Sequence, residues 1–372
     1  MKDYLKVYKV TLRTLSPVFV GSGKEINKKE YRLDFANQKI VVYDPGSLYT
    51  VLKKLGLSRS YEDFLLNEPS ANLNYWLRNN HLYPGDISSA IRYTVDWGDR
   101  MELGKSKTSI MEFAKDPYGC PYIPGTSIKG MFRTILIGYE IAGNKERFTK
   151  SANDIRVFRT DKPNPNKYTY EAKAVERTAF RRLNLDEKHP EDAVNDVLQG
   201  LIISDSKPLS IDDLVLCQKI ECHINGSEKP LNVLRECLHP GTDIEFTLTI
   251  DTQRCCYDIE TIQKAISVFN NIYYRSFTSK FGEAKQVDDT VYIGGGVGFA
   301  SKTFIYPMFG EDEGVKTTIN IMRNTMNSRL FNEHKHNKDL QLGVSPHVLK
   351  CTYYNGKLYQ MGKCKFLLQN MN

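Results

Sequence analysis

The sequence predicts an α+β fold, because segments with the two-residue period of strands alternate with segments of helical periodicity. Residues 8–12 and 242–250 alternate apolar and polar side chains, as half-buried strands do. Residues 128–139 and 259–273 repeat apolar side chains at helical spacing. With a core strand at 200–205 and a C-terminal hairpin, the order is strand, helix, strand, strand, helix, strand. This order favours a ferredoxin-like (RRM-like) core that carries long insertions.

Local sequence features predict the strands and helices of the N-terminal part. The first strand leads into a flexible basic loop that ends at Lys24, and a strand pair is predicted at 31–35 and 39–43. Asp44 and Pro45 suit the N-cap and the first position of a helix. Polar helices are then predicted at 57–80. The stretch 92–120 shows no regular pattern.

The middle of the chain differs in composition, since it is basic, broken by prolines and poor in large aliphatic residues. Two strands are predicted there, at 155–159 and 168–174, with a turn at 161–167. Further on, Asn355 and Gly356 form a strong hairpin signal. The chain is therefore divided into three parts. The N-terminal part of the core spans 1–144, the insertion spans 145–200, and the C-terminal part of the core spans 201–372.

Composition narrows the function classes. The 372 residues are 41% hydrophobic, which is enough for a large core and argues against global disorder. A net charge of +7 favours a polyanionic partner. The N-terminus lacks the apolar segment of a signal peptide and no apolar run reaches membrane-span length, so a cytoplasmic protein is expected. The eight cysteines include no CxxC pair, and Cys217, Cys222 and His223 come nearest to a metal pattern, so neither a metal nor a cofactor is predicted.

The start of the helix after Gly125 has the features of an anion site. Free backbone N–H groups at a helix N-terminus attract phosphate. Here they are accompanied by the hydroxyl group of Ser127 and the cations Lys129 and Arg133.

A glycine-rich loop near the C-terminus is a second anion site. Gly294, Gly295, Gly296 and Gly298 allow close approach of a backbone to phosphates, and Lys302 follows them. A dinucleotide fingerprint is the rival interpretation, but it requires a long helix after the loop, which Pro307 is expected to interrupt. Two anion sites in one basic chain predict a nucleic-acid backbone as the ligand.

Several motifs in this order resemble those of the RAMP proteins of CRISPR systems. They are residues 15–23, 122–130, 202–206 and 294–299. The C-terminal residues 345–350 and 355–357 narrow the resemblance to the fifth subunit of the type III-A Csm effector complex. The resemblance spans nearly the whole chain, and the order and spacing of the motifs are specific although each is short.

The resemblance implies a non-catalytic backbone subunit. Such proteins hold the 3′ part of the guide RNA (crRNA), contact the repeated backbone subunit and other Csm subunits, and are needed for guide maturation, with host nucleases as further partners. Carried over to this sequence, Ser127, Lys129 and Arg133 belong to the helix motif, and the glycines with Lys302 belong to the glycine loop. Both motifs, and Lys24 in the early basic loop, are expected to touch guide RNA.

The insertion resembles the projecting hairpin, or thumb, of RAMP backbone proteins. Arg177, Arg181 and Arg182 surround Phe180 in its second half. The arginines are expected to hold phosphates while the phenylalanine packs against a displaced base or a neighbouring subunit. A solvent-exposed basic loop is the alternative.

Catalysis is the main alternative function, in the form of a RAMP endoribonuclease that processes precursor guide RNA. The early loop at 23–30 contains no Asp, and Glu25 and Glu30, beside three lysines, are expected to form solvated charge pairs. No histidine precedes His81, so this loop lacks a general base. His334 and His336 are expected to lie in a solvated polar loop.

Overall fold

The computed structural model describes residues 3–68, 71–99, 101–102, 109–157, 166–283 and 285–369. Within these ranges the chain forms fourteen strands: β1 Leu5–Thr14, β2 Gly21–Ile26, β3 Tyr31–Asp34, β4 Lys39–Tyr43, β5 Ile91–Trp97, β6 Ser109–Phe113, β7 Leu201–Ile203, β8 Leu214–His223, β9 Glu228–Leu238, β10 Asp243–Asp251, β11 Thr290–Tyr292, β12 Val348–Tyr354, β13 Lys357–Gln360 and β14 Lys363–Gln369.

Ten α-helices occur in the same ranges. They are α1 Pro45–Lys54, α2 Ser58–Asn67, α3 Leu73–Asn79, α4 Gly125–Gly143, α5 Thr149–Arg156, α6 Lys167–Phe180, α7 Ile259–Ser276, α8 Ile305–Thr325, α9 Ser328–Glu333 and α10 Asp339–Leu342. None of these helices combines the length and the apolar character needed to span a membrane.

The strands form two sheets. The smaller sheet has the order β11-β14-β1-β10-β7, and every neighbouring pair in it is antiparallel. The larger sheet has the order β2-β6-β9-β8-β5-β4-β3, with β12 on β8 and β13 on β12. Because β1 lies between β10 and β14, the two ends of the chain build the smaller sheet together.

The helices divide between two hydrophobic cores. Helices α4, α7 and α8 pack on one another, and α4 meets β14 where the rings of Phe132 and Phe366 lie 6.0 Å apart. A separate cluster joins α1, α2 and α3 to β4 through buried residues such as Leu48, Phe64 and Trp76. No residue of the glycine loop belongs to this second core. The first core, which contains α4, α7 and α8, therefore positions the candidate site.

Several local predictions are confirmed. Strands β3 and β4 and helices α1 to α4 and α7 lie where the patterns indicate them. The Asp44 carboxylate accepts a hydrogen bond from the Ser47 backbone N–H at 2.8 Å, as an N-cap should. Asn355 and Gly356 both have positive φ in the turn between β12 and β13.

The predicted strands of the insertion are wrong. Residues 168–174 lie in α6, and the first predicted strand begins inside α5; its last two residues, and most of the predicted turn, fall outside the described residues. Tyr168, Ala172, Val175 and Ala179 share one face of α6 at helical spacing and pack into the core. The alternating tyrosines at 168 and 170 mimicked a strand, but the helical period of the longer segment prevails.

Two further predictions are wrong, one about strand pairing and one about a proline. The stretch 92–120 contains β5 and β6, which gain regularity only by pairing with strands distant in sequence. Pro307 does not interrupt the helix after the glycine loop, because it lies in the first turn of α8, where proline is tolerated. Gly310, with φ of 73°, kinks that helix instead.

The larger sheet encloses an ionic network. The Glu236 carboxylate on β9 is fully buried and accepts hydrogen bonds from the Tyr93 hydroxyl at 2.8 Å, the Phe113 backbone N–H at 2.9 Å and the Lys115 ammonium. Burial, followed by the charge of Glu236, raises the pKa of Tyr93, so its hydroxyl remains a proton donor. The carboxylate therefore has three donors inside the core.

We predict that Glu236→Ala lowers the free energy of unfolding by about 3–5 kcal/mol, because it removes the hydrogen-bonded partner of the buried Lys115 ammonium and leaves only the Glu112 carboxylate, at 4.0 Å. Equilibrium urea unfolding measures this loss. Glu245→Ala is the matched control, since it removes an exposed pair with Lys207 (2.5 Å) and should change stability by less than about 1 kcal/mol. Equal losses in the two variants would contradict the assigned role of the buried network.

Candidate nucleic-acid interface

The first half of α4 and the glycine loop share one cleft of about 450 Å³. Ser127, Gly294, Gly295 and Lys302 line it together, which brings the two predicted anion motifs to one place. Val20 and Gly21, where the chain enters β2, form a further wall. Residues more than 160 positions apart in sequence thus face the same space.

The glycines of the loop have the backbone conformation that the sequence predicts, with φ of 89°, 103° and 86° at Gly294, Gly296 and Gly298. At Gly294 the reason is internal, because a Cβ there would collide with the carbonyl oxygen of Phe19. The Gly295 N–H donates to that same oxygen at 2.7 Å. Gly294 is therefore required by close packing against the chain's own backbone. Among the four loop glycines, only Gly298 has open space where a Cβ would lie.

The N-terminus of α4 is already partly occupied by an internal anion. The Gly125 N–H donates to the Asp205 carboxylate at 2.7 Å, and the carbonyl oxygen of Pro124 accepts from the Ser127 N–H at 2.9 Å. The expectation of entirely free N–H groups is therefore wrong. Asp205 lies in the motif at 202–206, but its contact with α4 depends on the pairing of distant elements and was not foreseen.

Lys302 and Arg235 are the cations beside the cleft. Lys302 remains more than one third exposed, and partial burial of its amino group, followed by the charge of Arg235, lowers its pKa. Arg235 on β9 lies over the ring of Phe19 at 5.0 Å, and its Nε is buried without a hydrogen-bond partner. In the described part of the chain, no carboxylate lies within ion-pair distance of Arg235.

Sequence reasoning missed Arg235. It lies sixty residues from the glycine loop, and nothing local marks it as different from Lys229, the other cation of β9. The signal that distinguishes it is structural: it is a half-buried guanidinium whose Nε has no hydrogen-bond partner, and no carboxylate of the described residues pairs with it.

Lys129 and Arg133 do not line the cleft, although they share α4 with Ser127. Arg133 pairs with Asp196 at 2.7 Å and Glu176 at 3.1 Å and lies 4.9 Å from the ring centre of Phe180. Burial, opposed by Asp196, lowers the pKa of Lys129. Arg133 is therefore engaged within the molecule, and RNA contacts through Lys129 and Arg133 stay predictions.

The insertion residues are also engaged within the molecule. Phe180 is fully buried in the core of the chain, so the expected packing against a displaced base or a neighbouring subunit is wrong. The three arginines pair with carboxylates: Arg177 with Glu191, Arg181 with Asp196 and Arg182 with Glu140. RNA contacts through them stay predictions that require these pairs to open. The Tyr168 hydroxyl shares a hydrogen bond with Thr303, so helix α6 is part of the core.

Two other predicted positions lie away from the cleft. Lys24 is exposed on the edge strand β2. In the early loop, Lys29 is buried and its ammonium donates to the carbonyl oxygens of Phe64 and Leu65 at 2.6 and 2.9 Å. Lys29 is therefore a core residue rather than one of three solvated lysines.

Comparison with known proteins agrees with this architecture. A sequence model of the RAMP superfamily matches residues 11–297. The chain belongs to the RAMP superfamily. The motif resemblance is thereby confirmed, and the rival dinucleotide interpretation is excluded by the antiparallel pairing of β11 with β14.

Relatives of this RAMP protein cover its whole length. Proteins named "CRISPR system Cms protein Csm5" are 29% identical in Mycobacterium tuberculosis, over 99% of both chains, and 27% identical in Streptococcus thermophilus, over 100% of both.

Two solved structures share the fold. One is a chain in the cryo-EM structure of a Csm–crRNA–target RNA ternary complex of a type III-A CRISPR-Cas system, with a TM-score of 0.62, 18% identity and coverage of 98% of this chain and 100% of that chain. The other is the crystal structure of T. onnurineus Csm5, with a TM-score of 0.58, 19% identity and coverage of 95% and 99%.

We predict that Gly294→Ala destabilises this RAMP protein far more than Gly298→Ala, although both glycines have positive φ. Each alanine carries backbone strain of about 1–2 kcal/mol. Only the Cβ at 294 also displaces the Phe19 carbonyl, which should add about 1–3 kcal/mol. Thermal unfolding followed by circular dichroism distinguishes the two, and similar melting temperatures would show that the loop does not depend on this close contact.

Proposed function

We propose that the chain is the Csm5 subunit of a type III-A CRISPR Csm complex and holds the backbone of the 3′ part of the guide RNA (crRNA) in the glycine-loop cleft. The observation that carries the proposal is the meeting of Ser127, the glycine loop and Lys302 in one cleft. Backbone N–H groups and cations address phosphates rather than base edges. The names of the full-length relatives and the crRNA complex that contains a chain of the same fold support this assignment.

The fold proposed for this role is a ferredoxin-like core. Strands β7, β10, β1 and β14 are adjacent and antiparallel, and α4 and α7 connect them in the order strand, helix, strand, strand, helix, strand. In this arrangement β11 extends the edge of the sheet beside β14. The glycine loop follows β11 directly, so the sheet edge positions the cleft.

The proposed role is structural rather than catalytic. Among the described residues that line the cleft, none carries a carboxylate or an imidazole, the usual groups for general acid–base cleavage of RNA. The cleft instead offers hydroxyl groups, glycine backbone and Lys302. This favours holding RNA over cutting it.

The proposed partners follow from the same assignment. The repeated backbone subunit and the other Csm subunits share the guide RNA with this chain in the cytoplasm. Its proposed effect on guide maturation is to protect the bound RNA or to recruit host nucleases.

We predict that Lys302→Ala weakens binding of single-stranded RNA and makes it less sensitive to salt. Loss of one phosphate contact on a single strand should reduce the slope of log K against log salt by about 0.7. Filter binding of labelled RNA at several salt concentrations measures both effects. Lys39→Ala, which removes an exposed lysine paired with Asp96 at 3.1 Å, is the control and should leave the slope unchanged. An unchanged slope for Lys302→Ala would contradict the proposal that the cleft binds RNA.

We also predict that the purified chain leaves precursor guide RNA intact. The labelled transcript should keep its length after incubation with a molar excess of protein, in chelator and in magnesium, on a denaturing gel. Discrete cleavage products that disappear in a variant of this chain would establish the endoribonuclease alternative. Cleavage that persists in every variant would indicate a contaminating nuclease.

A further inference from the structure

Four of the seven histidines gather at one place, away from the glycine-loop cleft. His334 and His336 come from the segment between α9 and α10, His347 immediately precedes β12, and His223 ends β8. Neighbouring ring centres lie 5.8 Å apart for His334 and His336, 5.2 Å for His336 and His347, and 5.6 Å for His347 and His223. The expectation that His336 lies in a solvated loop is wrong, since it is buried.

Asp339 is the centre of this group. Its carboxylate is fully buried, and one oxygen lies 3.1 Å from His336 Nδ1 and 2.6 Å from the Ser345 hydroxyl, which donates to it. The other oxygen lies 2.5 Å from His347 Nδ1. One nitrogen from each of these two histidines and one carboxylate oxygen all lie within 4.8 Å of one another.

We propose that His336, Asp339 and His347 bind one zinc ion. Two imidazoles and one carboxylate form a ligand set that proteins use for zinc. Ligand bonds of about 2.0 Å in a tetrahedral arrangement place the ligand atoms about 3.3 Å apart. The distance of 3.1 Å between His336 Nδ1 and its carboxylate oxygen is close to this value. The distance of 2.5 Å between His347 Nδ1 and the other oxygen is shorter, so this ring must move outward for an ion to replace the protons shared by the rings and Asp339. Calcium and magnesium are disfavoured, because they prefer oxygen ligands.

The surroundings support a site for an ion. Both histidines and the carboxylate are more than nine tenths buried, and buried charges are normally paired or bound to metals. His334 is exposed and His223 is only half-buried, so their rings border the site on its solvent side. They can give an incoming ion its first ligand, which provides the access route that a metal site needs.

The ion would fasten the segment 328–347 to the larger sheet. Helices α9 and α10 contain six and four residues, too few for stable helices by themselves. Two of the proposed ligands lie in or beside these helices, and the third adjoins β12. A bound ion therefore crosslinks the segment to the sheet. The site shares no residue with the RNA cleft, so this inference is independent of the proposed function.

The first test uses the full-length wild-type chain, stripped with chelator and then titrated with Co²⁺ and with Zn²⁺. We expect one ion per chain by elemental analysis after removal of excess metal, and a visible ligand-field absorption band with cobalt that zinc abolishes. Zinc should also raise the melting temperature by several degrees. Absence of both the band and stoichiometric zinc overturns the proposal, whatever happens to the variants.

The second test locates the ion. His347→Gln and Asp339→Asn should each lose the cobalt band and the thermal shift caused by zinc. His189→Ala is the matched control, because it disrupts the exposed group of Asp186, His189 and Asp192, and it should bind one ion like wild type. Retention of the ion in a folded His347→Gln protein, or its loss in His189→Ala, overturns the assignment. If His347→Gln does not fold, the wild-type titration remains decisive.

Discussion

The architecture depends on a place where three backbone segments touch without side chains between them. The Gly295 N–H donates to Phe19 O, Gly362 N–H donates to Pro17 O, and Ile293 N–H donates to Gly362 O. A Cβ on Gly294 or Gly362 would collide with a neighbouring segment. Because the segment after β1 continues into β2, this junction holds the smaller sheet, the larger sheet and the glycine loop together. The cleft exists because these segments cannot move apart independently.

Electrostatics separate the cations of this region into two groups. Arg133, Arg181 and Arg182 have carboxylate partners within the chain and connect α4 to the insertion and to residues near Asp196. Lys302 and Arg235 have no such partner in the described ranges and lie beside the glycine loop. A basic sequence by itself does not reveal which group a cation joins. The carboxylates nearby decide it, and they come from elsewhere in the chain.

Local patterns predicted the elements whose signals are local. The α1 cap at Asp44, the turn at Asn355 and the apolar face of α4 all follow from neighbouring residues. The larger sheet was missed, because β5, β6, β8 and β9 depend on pairing across long sequence separations. For the site, the positive φ of the loop glycines was predictable, whereas Asp205 and Arg235 were not. Their roles arise only when distant strands bring them to α4 and to the loop.

The buried pair of Lys115 and Glu236 has a consequence for how this sequence can vary. Either residue alone leaves a buried charge without its hydrogen-bonded ion partner, whereas loss of both in favour of apolar side chains of similar volume can be neutral or even stabilising. The two positions are therefore energetically coupled, and their substitutions are not additive. Among related chains, we expect these positions to change together or to stay fixed. An evolutionary path from the ion pair to an apolar pair must then pass through an intermediate residue at one position that is compatible with either residue at the other. A neutral hydrogen-bonding side chain is such an intermediate.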